Sequence, residues 1–320
     1  MLLAIAALII GIALLVWGAD RFVDGAASVA KNLRVPPMII GLTIVSLGTS
    51  LPEMIVAAMA ALDGNRNLGV GNVIGSNIAN IGLVLGITAL IIPLSVKSMT
   101  LRREMPVLFM ITLLAFALMA DGGLSFSDGV ILSLSLLLLL GWITLIAMQD
   151  RHDPLVEEFT DSIPDNMSMG KSVMWFIVGL LLLIISSRMV VWGAIEIAHY
   201  FGVSDLIIGL TIVAIGTSLP ELAVSVVSAL KGDTGIAVGN VIGSNVFNLL
   251  AVVGVAGWIH PATFDPSLLT LHHPMMIAFT VPLLLIAYNP FGKKGLSRGM
   301  GFALLAAYIA YQAIVVGTSI

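Results

Sequence analysis

Gly48–Thr49–Ser50–Leu51–Pro52–Glu53, GTSLPE, decides the reading of this chain, because Gly216 to Glu221 spell the same six residues. The identity spreads outward in both directions. IIGLTIV begins at Ile39 and again at Ile207, and VGNVIGSN runs from Val70 to Asn77 and from Val238 to Asn245. Asn80 falls on Asn248. Val35 to Ile91 aligns without a gap on Val203 to Ile259 at an offset of 168 (203 − 35), with about half the residues identical. The chain therefore carries one structural unit twice.

The surroundings of these copies are apolar. Of the 320 residues 59% are hydrophobic and 10% charged, and the mean hydropathy is +1.10. Soluble domains carry roughly 25% charged residues, so the solvent for this surface is lipid. The absence of cysteine excludes disulfides, thiolate metal sites and cysteine nucleophiles. A net charge of −4 spread over loops argues against a nucleic-acid partner. The first apolar run, from Leu2, lacks a basic leader and a cleavage site before a hydrophilic domain. It reads as a retained membrane helix.

Helix-length apolar runs fall near 2–32, 36–62, 68–93, 102–120, 124–148, 172–200, 204–230, 235–259, 270–288 and 297–318. A span needs about 20 residues, so the expected fold is an all-α membrane protein of about ten transmembrane helices. Lys31, Arg34, Lys97, Arg102, Arg103, Arg151, Lys171, Lys231, Lys293, Lys294 and Arg298 fall on one side of this arrangement, and Arg66 on the other. The positive-inside rule makes the first side cytoplasmic and places both termini on the periplasmic or extracellular face of an inner membrane. Residues 1–150 form one half, 151–170 a cytoplasmic linker rich in acidic residues, and 171–320 the second half. With five spans per half, the second copy enters from the opposite side. The halves are inverted repeats, an architecture that places a transport site near the midplane.

Glu53 and Glu221 lie mid-span, where an ionisable residue marks function. Pro52 and Pro220 remove the helical partners of the Gly48 and Gly216 carbonyls, leaving carbonyls near Ser46 and Ala214 free for a cation. Thr49 and Ser50 share a helix face with Glu53, as Thr217 and Ser218 do with Glu221. Asn72, Ser76 and Asn80 recur every four residues on the next helix, as do Asn240, Ser244 and Asn248. Asn72, Asn77, Asn240 and Asn245 suit either helix–helix hydrogen bonding or ion contact. Every donor is oxygen, which suits Ca²⁺ and Na⁺. No His or Cys cluster suits zinc or copper. Two carboxylates balance one Ca²⁺ or two Na⁺, and mutual exclusion at shared oxygens is a physical route to exchange.

At these residues the chain resembles the calcium/cation antiporter superfamily, in its sodium/calcium exchanger branch, and is especially similar to bacterial inner-membrane members. The resemblance covers essentially the whole chain. It implies a ten-helix fold in which helices 2, 3, 7 and 8 hold the ions and helices 1 and 6 slide across them. It implies as ligands Thr49, Ser50, Glu53, Ser76, Asn80, Thr217, Ser218, Glu221, Ser244 and Asn248, with the carbonyls of Ser46 and Ala214. The archaeal pattern has Asp at the position of Asn248, so this site is more symmetric, with one fewer titratable group. Proton/calcium members typically carry a GNxxE motif in place of GTSLPE. The implied activity is exchange of Ca²⁺ for Na⁺, with a proton-coupled antiporter as the alternative. No cofactor, enzymatic centre or obligate protein partner is implied beyond the transported ions and the bilayer. A channel is disfavoured by the buried, repeated acidic sites, and a membrane protease by the lack of a Ser–His pair or a GxGD-like aspartate within a span. Asp20, Asp24 and Arg188 remain outside this motif. The 168 offset places Asp20 on Arg188, and the expectation is an ion pair between Arg188 and Asp20 or Asp24 that ties helices 1 and 6 together.

Overall fold

The computed structural model describes residues 1–35, 37–62, 66–94, 99–149, 167–203, 212, 214–259, 261–288 and 295–318. The first half runs α1 (Leu2–Leu33), α2 (Pro37–Ile40), a π turn over Gly41–Val45, α3 (Ser46–Thr49), α4 (Leu51–Leu62), α5 (Arg66–Ala79) and a π turn over Asn80–Leu85. It continues with α6 (Gly86–Ile91), α7 (Met99–Leu118), strand β1 (Gly123–Leu124) and α8 (Phe126–Gln149). The second half runs α9 (Met169–Tyr200), α10 (Ala214–Thr217), α11 (Leu219–Leu230), α12 (Thr234–Phe247) and a π turn over Asn248–Val252. Then come α13 (Val253–Ile259), strand β2 (Ala262–Thr263), a π turn over Leu268–His272, α14 (His273–Tyr288) and α15 (Arg298–Thr318). The acidic linker at 150–166 lies outside the described residues, as do 204–211 and 213 of the run expected at 204–230.

Among the described residues, seven stretches are long and apolar enough to cross a bilayer, and Glu104–Leu118 and Leu219–Leu230 are apolar but shorter. The protein is a helical, multi-pass membrane protein. Its centre is set by two of these stretches. The most apolar parts of Thr234–Ile259 and Gly69–Ile91 are mostly buried inside the protein, whereas those of the other five stretches are mostly exposed. The two copies of VGNVIGSN are thus encased by protein, and the remaining helices turn apolar faces such as Leu134, Leu138, Ile177 and Leu181 outward. Such faces match hydrocarbon rather than water.

The long helices α1 and α9 are copies of each other and pack along their whole length. Glycines make this possible. A Cβ on Gly11 would meet Val190, one on Gly18 would meet Leu182 and Leu183, and one on Gly25 would lie 2.4 Å from the Phe176 nitrogen. Residue numbers rise on α1 as they fall on α9, so equivalent helices run antiparallel. The contacts also repeat by symmetry: Gly179 faces Phe22 and Gly193 faces Leu8, the images of Gly11 against Val190 and of Gly25 against Phe176. Small residues of this kind let membrane helices approach until backbones touch.

This packing corrects the expected Arg188 pair. Gly18 sits opposite Leu182 and Leu183, and Gly11 opposite Val190. Arg188 is therefore roughly two turns, on the order of 10 Å, from the level of Asp20, and it is exposed. Although α1 and α9 touch along their length, residues at equivalent positions of the two copies meet only near the crossing point. Lys231, just past α11, takes the place expected of Arg188. Its Nζ donates to Asp20 Oδ1 at 2.7 Å, to the Asp20 carbonyl at 3.0 Å, and to Asp24 Oδ1. Arg21 pairs with Asp20 at 2.7 Å and with Asp24 at 3.5 Å, and lies over the Trp175 ring of α9. The cluster joins α1, α9 and the loop before α12. Asp233 lies in that loop. Burial pushes its carboxyl up to about 6 against the attraction of Lys231. Each pair is about a third exposed and contributes at most about 1 kcal/mol. Lys231→Gln is expected to lower the melting temperature of the purified protein by a few degrees, and Arg188→Gln to leave it unchanged. Equal effects, read by thermal denaturation in detergent, would return Arg188 to the role of partner.

Short backbone pairings clasp the bundle between the halves. Gly123 and Leu124 pair antiparallel with Thr263 and Ala262, and Leu94 forms a bridge with Leu296.

Candidate functional site

The two GTSLPE copies break their helices at the same place. Ser50 has φ −82° and ψ 1°, and Ser218 has φ −88° and ψ 6°. Both sit in the bridge region, outside regular helix. Proline causes the break locally. It lacks an N–H, which a helix tolerates only in its first turn, so new helices start at Leu51 and Leu219, with Pro52 and Pro220 inside that turn. Glu53 and Glu221 then fall in the first turns of α4 and α11, where the helix dipole favours a carboxylate.

The expectation that the breaks leave carbonyls free is only partly met. The Gly216 carbonyl accepts a hydrogen bond from Ser187 Oγ of α9 at 3.0 Å. The Ser46 carbonyl accepts from the Ser50 N–H at 3.0 Å and from Thr49 Oγ1 at 3.4 Å. Ser187 has no counterpart in the first half, because Ala19 stands at the equivalent position (187 − 168). Ala214 opens α10.

The hydroxyls and amides come together from both halves. Thr49 Oγ1 of α3 donates to Asn240 Oδ1 at 3.0 Å and lies 3.3 Å from Ser244 Oγ, both on α12. Ser244 Oγ donates to Glu221 Oε1 at 3.5 Å. Asn240 also donates to the Glu221 carbonyl at 3.3 Å and to Ser225 Oγ at 3.2 Å, so it braces α11 against α12. Asn77 and Asn245 likewise bond across the helix interface, each to the other's backbone carbonyl. Of the roles left open for these asparagines, Asn77, Asn240 and Asn245 serve helix–helix bonding. Thr217 is half-buried.

Ser46, Thr49, Ser50, Glu53, Ser76, Asn80, Ser218, Glu221, Ser244 and Asn248 are all buried. Among these residues Ser50 Oγ, both Glu53 carboxylate oxygens, Ser76 Oγ, Asn80 Oδ1, Ser218 Oγ, Glu221 Oε2 and Asn248 Oδ1 are buried without a hydrogen-bond partner. A buried polar atom left unsatisfied costs about 1–3 kcal/mol, and more if charged. Oxygens orphaned together in this way match the demand of a hard cation for hydroxyl, amide and carboxylate ligands. Among the described residues no group of three or more His, Cys, Asp or Glu forms a metal cluster. Net negative charge at the site comes from the two glutamates.

Sequence reading missed Ser187, Ser225 and Lys231. Asp20 and Asp24, charged inside an apolar run, signal that a cation must lie near. Nothing local in the sequence names Lys231, 211 residues away.

The family model for the sodium/calcium exchanger protein matches residues 3–149 and 171–317. The two matched stretches are offset by 168 (171 − 3), the spacing of the repeat. The chain is 45% identical to the putative antiporter CaxA of Alkalimonas amylolytica, over 98% of each protein. It is 40% identical to the inner membrane protein YrbG of Escherichia coli K12, over 98% of this chain and 97% of that one. A structure of the sodium-calcium exchanger NCX_Mj soaked with Na⁺ and Ca²⁺ superposes with a TM-score of 0.83 at 32% identity, over 98% of each chain.

Proposed function

The chain belongs to the sodium/calcium exchanger family, and from that premise we propose that it exchanges Ca²⁺ for Na⁺ across the inner membrane by alternating access at Glu53 and Glu221. The observation that carries this reading is the set of buried, unpartnered oxygens drawn from both repeats. Thr49, Ser50, Glu53, Ser76 and Asn80 from one half, and Thr217, Ser218, Glu221, Ser244 and Asn248 from the other, are the proposed ligands. The Ser46 and Ala214 carbonyls complete the set. Two carboxylates neutralise one Ca²⁺ or two Na⁺, so the ions compete for the same oxygens and occupancy by one expels the other. The antiparallel packing of α1 and α9 supports ten spans in two inverted five-helix halves, 1–150 and 171–320. The glycine-lined surface between those two helices suits them to move as one unit over the buried core.

The deciding experiment is ⁴⁵Ca uptake into proteoliposomes under an imposed sodium gradient or an imposed proton gradient. Uptake driven by sodium is expected. Uptake driven by protons alone would replace sodium with proton coupling at the same carboxylates.

The basic-residue bias places both termini outside the cytoplasm. Alkaline phosphatase fused after Ile320 is expected to be active, and a cytoplasmic reporter at the same position silent. The reverse result would overturn the orientation.

A further inference from the structure

An asparagine can serve a cation only with its Oδ1. Turned over, it aims two N–H groups at the ion instead. Asn80 and Asn248 both leave Oδ1 buried and unpartnered, and the hydrogen bonds behind them explain why neither turns over. The starting point is a pair of backbone carbonyls, which can only accept. Asn245 Nδ2 donates to the Asn77 carbonyl at 3.3 Å, and Asn77 Nδ2 donates to the Asn245 carbonyl at 3.2 Å. Each of these amides is thereby held in one orientation, with Oδ1 pointing away and able only to accept. Asn80 Nδ2 donates to Asn245 Oδ1 at 3.0 Å, and Asn248 Nδ2 donates to Asn77 Oδ1 at 3.0 Å. The last two amides are fixed in turn, with their oxygens facing the other way. Met276 Sδ, 3.6 Å from Asn77 Nδ2, offers a weak further acceptor.

All four side chains are at most 1% exposed, so water does not compete for these bonds. Turning over any one amide would set oxygen against oxygen or N–H against N–H in a low-dielectric interior, where such a mismatch is expensive. The bonds also cross the interface between the halves. Asn77 of α5 holds Asn248, where the second half's π turn begins, and Asn245 of α12 holds Asn80, where the first half's π turn begins.

We propose that Asn77 and Asn245 are positioning residues. They force Asn80 and Asn248 to present oxygen to the transported cation, each acting on the asparagine of the opposite repeat. This rests on the ligand reading of Asn80 and Asn248 given above. Loss of an outer residue that orients a metal ligand typically weakens affinity about 10–100-fold.

The test is a double-mutant series read as the half-saturating Ca²⁺ concentration of sodium-driven ⁴⁵Ca uptake by the purified full chain in proteoliposomes. Asn77→Leu and Asn245→Leu should each raise it about 10–100-fold. Asn77→Leu should add less than about twofold in an Asn248→Ala background, yet keep its full effect in an Asn80→Ala background. Asn245→Leu should behave the opposite way. A general weakening of the fold would not produce this crossed pattern. Where a leucine variant does not insert, the alanine variant at the same position is taken through the same cycle. If Asn80→Ala and Asn248→Ala leave the half-saturating concentration unchanged, the ligand reading falls and the positioning role with it. If those two raise it but the Asn77 and Asn248 losses are additive, the positioning role alone is overturned.

Discussion

Glu53→Gln and Glu221→Gln should each reduce sodium-driven ⁴⁵Ca uptake at least about a hundredfold, while the protein still inserts and purifies as a folded species. Each substitution removes one of the two negative charges available to a divalent ion. Two unit charges about 4 Å apart in a medium of effective dielectric about 20 interact by roughly 4 kcal/mol, nearly three decades in affinity. The second charge of a divalent ion doubles the attraction, so even a partial loss exceeds about a hundredfold. Glutamine keeps the shape of the side chain, so the packing around Thr49, Ser244 and the two helix breaks is retained. Stability should move in the other direction from activity. Glu53 carries two buried oxygens without a protein partner, and replacing a buried, uncompensated acid by a neutral amide lowers the cost of folding. The melting temperature of both variants in cation-free detergent should therefore equal or exceed that of the parent. Flux near the parent level in both purified variants would remove the two-carboxylate site. Loss of flux together with loss of insertion would mean that the glutamates are structural.

Gly243→Ala is expected to be almost as damaging to transport, for a steric reason. A Cβ at Gly243 would lie 2.3 Å from the Leu42 carbonyl oxygen and 2.3 Å from Ser46 Oγ, with Ser46 Cβ at 2.7 Å. The first of these is backbone and cannot rotate aside. The helix α12 must then move off the π turn and off α3, carrying Ser244 and Asn240 away from Thr49. Overpacking of this kind costs about 1–3 kcal/mol, and the displacement falls on the proposed ion ligands. Transport below about a tenth of the parent level is expected, by the same proteoliposome assay. Ser46→Ala should rescue Gly243→Ala only slightly, because it removes the hydroxyl but leaves the Leu42 carbonyl and the Ser46 Cβ. Gly141→Ala is the control. A Cβ there meets nothing within 4 Å, and alanine is favoured over glycine in a helix by about 1 kcal/mol, so transport and stability should hold or improve. Parent-like flux in Gly243→Ala would show that the close approach of α12 is not needed.

Much of the site is legible from the chain alone because it is written twice. Because GTSLPE and VGNVIGSN occur twice, the oxygen-bearing candidates within them stand out without any other sequence. The helix breaks at Ser50 and Ser218 follow from Pro52 and Pro220 through the rule that proline lacks an N–H. The sites of Glu53 and Glu221 in the first turns of new helices follow from the same rule. What the repeat does not carry is asymmetry. Ser187 accompanies the second copy alone and caps the Gly216 carbonyl, whereas Ala19 stands at the equivalent place in the first. An alignment of the two halves shows that difference but not the distance between Ser187 and Gly216.

The sequence by itself determined the membrane class, the repeat, the helix breaks, and the oxygen-bearing residues. Each depends on composition, spacing or local backbone chemistry, and these are properties of neighbours along the chain. Only the tertiary structure decided which partners meet. It set Lys231 rather than Arg188 against Asp20 and Asp24, because an antiparallel pair of copied helices brings equivalent residues together only at its crossing point. It also joined Asn77 to Asn248 and Asn245 to Asn80 across the halves, since those bonds depend on how closely and at what height two buried helices pass.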